Sequence, residues 1–182
     1  MNAAMRVVGE VADAVSAIDE RELARLVETI DRAGAVFVAG AGRSGLMGRA
    51  LAMRLMHLGL RAYVVGETIT PAIGPDDLLL IGSGSGETAS LVGMADKAGE
   101  IGAAVAVATT RPESTLARKA RLTLTLPGSA KEHNSGERGT IQPMASLFEQ
   151  TLLLAYDAAV ICLMERRGMS AERMYGSHAN LE

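Results

Sequence analysis

Apolar positions along the chain fall into two kinds of stretch, short uninterrupted runs and longer segments with helical spacing. Val7, Val11, Ala14, Val15 and Ile18 share one face and predict a first helix over residues 1–18. Asp19 and Glu22 have the Asp-x-x-Glu spacing of a capping box. They open a second helix that carries Leu23, Leu26, Val27 and Ile30 and ends at Gly34. Short apolar runs of strand length follow at Ala35–Ala39, Arg61–Val65, Leu78–Ile81, Ala103–Ala108 and Leu122–Leu126. Amphipathic stretches lie between them. One runs from about Ser44 to His57 and is closed by Gly59. Another carries Leu91, Val92, Met94, Ala95 and Ala98 on one face and ends near Gly102. A short one covers Ser114–Ala120. A long helix from Pro143, in its first turn, to Arg167 has a stripe of Met144, Leu147, Thr151, Leu154, Ala158 and Ile161.

This alternation predicts an α/β three-layer sandwich, with five parallel strands covered by helices on both faces. Sites in such sheets lie beyond the carboxyl ends of the strands, so the loops starting at Gly40, Gly66, Gly82 and Thr109 should gather at one edge. The chain reads as one domain, residues 1–182, with extra N-terminal helices over 1–33 and a polar tail over 168–182. Pro127–Gln142 is a long polar loop, and such loops in compact domains are functional or mobile.

Composition narrows the chemistry. The net charge is −3 with no basic block, which argues against a nucleic-acid surface. The one cysteine, Cys162, lies in an apolar helical run and reads as a buried, inert thiol. No hydrophobic run approaches 18 residues and the start has no signal-peptide character, so the expectation is a soluble, cytoplasmic protein without a membrane partner. Aromatic residues are 3% of the chain and Trp is absent. A sugar would therefore be held by polar groups and its phosphate, not by stacking.

Candidate chemistry concentrates after the third apolar run, in Gly82-Ser83-Gly84-Ser85-Gly86-Glu87-Thr88. Glycines let backbone approach a ligand, a helix start directs N–H groups at negative charge, and Ser83, Ser85 and Thr88 add hydroxyl donors. No Lys follows the last Gly, so the loop suits one small phosphate and not a nucleotide P-loop. The plain alternative is an ordinary strand-to-helix turn. Gly40-x-Gly42-x-x-Gly45 has the form of a dinucleotide fingerprint, with Glu67 standing 22 positions beyond Gly45. Arg43 and Ser44 within it suit a compact phosphate ester or sugar oxygens, and a second anion loop is redundant for a dinucleotide. His57, near a helix end, is explained by the dipole, although it could reach a substrate. His133 lies in the polar loop and reads as solvated. No histidine–carboxylate group has metal-ligand spacing.

The pair Gly42-Arg43-Ser44-Gly45 and Gly82–Thr88 resembles the sugar isomerase (SIS) domain family. Met53-Arg54-Leu55-Met56-His57-Leu58-Gly59, Val65-Gly66-Glu67-Thr68-Ile69-Thr70-Pro71, Gln142-Pro143-Met144 with Phe148-Glu149, and His178 extend the resemblance to its 6-phospho-3-hexuloisomerase branch. It covers nearly the whole chain. It implies the reversible isomerisation of 3-hexulose 6-phosphate (D-arabino) and fructose 6-phosphate, in formaldehyde fixation or pentose-phosphate supply through the ribulose monophosphate route. By the same resemblance Ser83, Ser85 and Thr88, with Gly84 and Gly86, hold the phosphate, and Ser44 lies close by. Glu149 is implied as the base and His178 as a further site residue. A homotetramer without metal or organic cofactor is implied as well.

The chemistry is consistent with that assignment. Moving a carbonyl from C3 to C2 takes a proton from C2 and returns one to C3 through a cis-enediol, which one carboxylate in reach of both carbons can do. Phe148 and Leu147 give Glu149 an apolar setting, against the plain reading of an exposed helix glutamate. Arg43 or His178 is open to stabilise the oxygens. Another phosphosugar aldose–ketose isomerase and a non-catalytic phosphosugar-binding module stand as alternatives. Because His178 follows the long helix in a polar tail, the expectation is that it completes the site of another subunit.

Overall fold

The five apolar runs become β1 (Val36–Gly40), β2 (Ala62–Val64), β3 (Leu78–Gly82), β4 (Ala104–Thr109) and β5 (Leu122–Thr125), all parallel, in the order β2-β1-β3-β4-β5. The computed structural model describes residues 2–128 and 140–181. Strand side chains alternate between two buried layers because the β period is two. Val36, Val38, Leu78 and Leu80 face one layer, where α2 (Glu20–Arg32), α3 (Gly42–His57) and α6 (Ser146–Arg167) supply Ile30, Leu55 and Leu152. Phe37, Ala39, Leu79 and Ile81 face the other, covered by Leu91, Ala95 and Ala98 of α4 (Ala89–Ile101) and Leu116 of α5 (Thr115–Lys119). A side chain such as Leu55 or Leu80, with no exposed surface, contributes about 1.5–3 kcal/mol relative to leaving it in water. α1 (Ala3–Ser16) packs outside α6.

Register places the loops. Gly40 pairs with Gly82 and Gly82 with Ala108, so the turns leaving β1, β3 and β4 emerge side by side. A Cβ on Gly45 would stand 2.6 Å from the Gly40 carbonyl oxygen, so these glycines allow α3 to start directly against the end of β1.

Several expectations need correction. The long helix starts at Ser146, not around Pro143, because Met144 takes a positive φ of 55° and breaks the first turn. The tail contains a short helix, α7 (Ala171–Tyr175), capped by Ser170 and anchored by buried Met174. The capping box is one-sided. Asp19 accepts from the Arg21 and Glu22 N–H groups, but Glu22 does not reach back; its Oε2 accepts from Thr125 N at 2.6 Å and ties α2 to β5. The second helix ends at Arg32, before Gly34. Cys162 is half-buried against the core. α6 is also long and apolar enough to cross a membrane by length and composition, which the sequence reading did not foresee. Half of that stretch is buried within the fold, where it serves as a core helix. His133, with Lys131, Glu132, Glu137 and Arg138, lies outside the described residues.

Candidate active site

Helix starts carry orphan N–H groups that a side chain, water or ligand must satisfy. Among the described residues, α1, α2, α5 and α7 are capped by the side chains of Asn2, Asp19, Ser114 and Ser170. α3, α4 and α6 have no side-chain cap. Their N-cap residues, Ala41, Thr88 and Ala145, all line one cleft of about 200 Å³ together with Ser44, Ser83 and Ser85. Three uncapped helix ends aimed at one space make it electropositive without a single lysine. Larger clefts of about 380 and 590 Å³ lie elsewhere, but among the described residues no comparable set of helix starts meets there.

The loop from Ser83 to Thr88 is held in shape from behind. The Gly84 carbonyl accepts from Thr109 Oγ1 (3.1 Å), Thr110 Oγ1 (2.9 Å) and Thr110 N (3.2 Å). Leu116 N donates to the Gly86 carbonyl, and the Glu87 carboxylate accepts from Thr115 N at 2.9 Å. Hydrogen bonds from the Thr115 side chain and backbone hold the Glu87 carboxyl below its ordinary pKa, so it binds α5 as an anion. Ser83 Oγ accepts from Gly86 N at 3.2 Å and Ser85 Oγ from Glu87 N at 3.3 Å. A hydroxyl whose oxygen accepts inside the loop keeps its own proton free to donate to a ligand. Gly86 has φ +66°, and a Cβ there would lie 2.0 Å from Ser114 Oγ. Gly84 leaves room for the Phe148 ring, which a Cβ would meet at 3.1 Å.

Glu149 is buried, so the exposed-glutamate reading does not hold. Its Oε2 lies 3.0 Å from Arg43 Nε, with the carboxylate side chain 5% and the arginine 55% exposed. Arg43 Nη1 also donates to Ser146 Oγ at 3.0 Å. One half-exposed guanidinium thus joins the first turn of α3 to the first turn of α6; Arg43, Ser146 and Glu149 do not line the cleft themselves, but Ser44 and Ala145, next to Arg43 and Ser146 in the chain, do. A charge so exposed can exchange partners readily, while the buried carboxylate stays in place.

His178 is not part of this arrangement in its own chain. Its ring stacks on His57 (centroids 5.6 Å apart) and on Tyr175 (6.0 Å), and its Nδ1 lies 3.0 Å from the Ala179 carbonyl oxygen. His57 ends α3 whereas Arg43 begins it, a separation of about 21 Å at 1.5 Å per residue. Burial, then Arg54 and His178, push the His57 imidazole below its ordinary pKa. Its charged form is disfavoured by burial and by these neighbours, which weakens the helix-dipole explanation for it. Glu67 is paired with Arg49 on the exposed side of α3. Among the described residues no group of three His, Cys, Asp or Glu side chains could hold a metal ion.

Sequence reasoning missed Ser146, Ala145 and the threonines behind Gly84. Ser146 was legible only as a Ser-x-x-Glu spacing with Glu149. The other contacts join segments far apart in the chain.

A family model described as SIS domain matches residues 29–161. The chain is 48% identical over 176 residues to the 3-hexulose-6-phosphate isomerase of Bacillus subtilis (strain 168), covering 97% of this chain and 95% of that protein. It is 44% identical over 173 residues to the 3-hexulose-6-phosphate isomerase of Mycobacterium gastri, covering 95% and 86%. Among solved structures, a Methanococcus jannaschii protein whose structure infers a molecular function of 3-hexulose-6-phosphate isomerase superposes with a TM-score of 0.84. The two are 33% identical and each is covered over 98% of its length. The Vibrio vulnificus NanR protein, complexed with ManNAc-6P, superposes with a TM-score of 0.76 at 26% identity, over 96% of this chain and 63% of that one.

Proposed function

The chain belongs to the SIS domain family, and from that premise we propose that it interconverts 3-hexulose 6-phosphate and fructose 6-phosphate with Glu149 as the proton-transferring base. It is an isomerase of the ribulose monophosphate route. The observation that carries the site assignment is the meeting of three uncapped helix starts at the cleft lined by Ser44, Ser83, Ser85 and Thr88. The substrate phosphate satisfies those N–H groups and accepts the hydroxyl protons.

With the phosphate seated, the sugar carbons extend toward the first turn of α6. Glu149 removes the proton from C2, electrons move to the C3 oxygen, and the anion of the cis-enediol forms. The hydroxyl proton passes from O2 to O3, and Glu149 returns its proton to C3. Arg43 leaves the Glu149 carboxylate for the sugar oxygens and stabilises their developing charge, while Ser146 keeps the guanidinium at the edge of the cleft. No metal or organic cofactor enters these steps.

The test is isotope exchange. Incubation with fructose 6-phosphate in deuterated water is expected to place deuterium at C3. Exchange at C1 alone would identify an aldose–ketose isomerase instead, and binding without exchange a sensing module.

The same reading makes the enzyme cytoplasmic and homotetrameric with shared sites. Support comes from the apolar faces left open on α3 (Leu46, Met53, Met56) and α6 (Leu154, Ile161), and from the stacking of His178 on His57, at the opposite end of α3 from Arg43. His178 of a neighbouring subunit would donate to the sugar oxygens and assist ring opening. Glu149→Gln and His178→Ala, unfolded and refolded together, are expected to regain activity that neither has alone. Mixtures that exchange subunits yet stay inactive would remove His178 from a shared site.

A further inference from the structure

The first turn of α6 carries both Ser146 and Glu149, yet little in the helix itself fixes where it begins. It has no side-chain cap, Met144 is held at φ +55°, and Pro143 has no N–H to anchor it. Ile141 and Met144 are 44% and 56% exposed, so the packed positions of the segment are Gln142 and Ala145. The Ser146 N–H donates to the Pro143 carbonyl, and the residues before Pro143 are gripped by one carboxylate on α1. Glu10 Oε1 accepts from Ile141 N at 2.7 Å, and Oε2 accepts from Thr140 Oγ1 at 2.7 Å and from Gln142 Nε2 at 3.1 Å. Gln142 is buried, and its N–H donates to Thr140 Oγ1 at 3.1 Å, which closes the cluster.

We propose that Glu10 is a positioning residue for the isomerisation: by gripping residues 140–142 it sets the start of α6, so that Ser146 and Glu149 meet Arg43 beside the phosphate cleft. This rests on the isomerase reading above. Burial raises the Glu10 pKa, but the hydrogen bonds from Ile141, Thr140 and Gln142, with Arg6 nearby, lower it overall, so the grip is anionic at neutral pH. Three bonds to three successive residues restrain the backbone more tightly than one cap. A base that must reach two adjacent carbons is sensitive to small displacement. The phosphate loop itself is braced separately by Thr109, Thr110 and α5, so the grip bears on the phosphate only through the start of α6 and chiefly on the placement of Glu149.

Glu10→Ala is expected to lower kcat by on the order of 10–100-fold, the usual consequence of a misplacement near 1 Å. Competition by inorganic phosphate should change less than kcat, because the starts of α3 and α4 and the Ser83 and Ser85 hydroxyls stay in place. Glu10→Gln keeps an oxygen for Ile141 N, and the Gln142 amide can turn to accept from the new NH₂, so kcat within about threefold of wild type is expected. Glu10→Asp, one methylene short, should resemble Glu10→Ala, and it serves if the alanine variant does not fold. Mass-spectrometric hydrogen exchange should show faster exchange over residues 141–149 in the alanine or aspartate variant only. The proposal is overturned if kcat stays within twofold of wild type in a folded Glu10→Ala or Glu10→Asp protein. It is equally overturned if phosphate affinity falls as far as kcat and Gln rescues neither. If the wild type does not isomerise hexulose phosphate, the reading of function fails, and the exchange pattern still decides whether Glu10 grips the start of α6.

Discussion

Glu149→Gln is expected to lower kcat by about 10²–10⁴-fold, the range associated with losing a positioned general base. The substitution keeps size and shape, and its amide oxygen can still accept from Arg43, so the buried site keeps its packing. Arg43 is 55% exposed and is not left as a stranded interior charge. Phosphate binding should therefore survive, which competition by inorganic phosphate against residual turnover would measure. Deuterium incorporation at C3 of fructose 6-phosphate should fall with turnover, because both use the same proton transfer. Activity within tenfold of wild type would remove Glu149 from the chemistry. Glu67, paired with Arg49, and His57, about 21 Å along α3, are poorly placed to replace it.

Gly86→Ala should abolish phosphate binding more completely than removal of any one hydroxyl. A left-handed φ of +66° costs a non-glycine residue about 1–2 kcal/mol. The new Cβ would also stand 2.0 Å from Ser114 Oγ, an overlap that the packed loop relieves only by moving. Overpacking of this kind costs about 1–3 kcal/mol. Ser114 cannot yield freely, since its hydroxyl caps α5 by accepting from Ala117 N. The loop is the mobile partner, and its displacement would disturb the Gly86 N–H bond to Ser83 and the Leu116 bond to Gly86 together. Ser85→Ala, by contrast, deletes one charge-assisted hydrogen bond of about 1.5–3 kcal/mol, a ten- to hundredfold loss in affinity. Adding Ser114→Gly to Gly86→Ala removes the overlap but not the backbone strain, so partial recovery is expected. Wild-type competition by inorganic phosphate in Gly86→Ala would show that the loop does not hold the phosphate.

Strand–helix alternation, the parallel sheet and the gathering of loops at one edge were legible in the chain because their signals are local. Val36–Gly40 and Leu78–Gly82 are uninterrupted apolar runs that only a doubly covered strand can bury, and the glycines after them mark close approach and left-handed backbone. The candidate loop Gly82–Thr88 was legible for the same reason, since its hydroxyls and glycines lie within seven consecutive residues. The start of α6 was not: Pro143 favours a first turn, but Met144 is turned out of it where the Glu10 carboxylate binds the three residues before Pro143. Glu22 looked like half of a capping box and became the tie to Thr125 once α2 packed against β5. α7 is five residues long and is secured by one buried methionine, too little periodicity to register in sequence. The Arg43–Glu149–Ser146 cluster joins segments about a hundred residues apart. A residue's neighbours within a turn or two decide helix, strand and loop chemistry; which distant carboxylate is buried beside which cation is decided only when helices pack on the sheet.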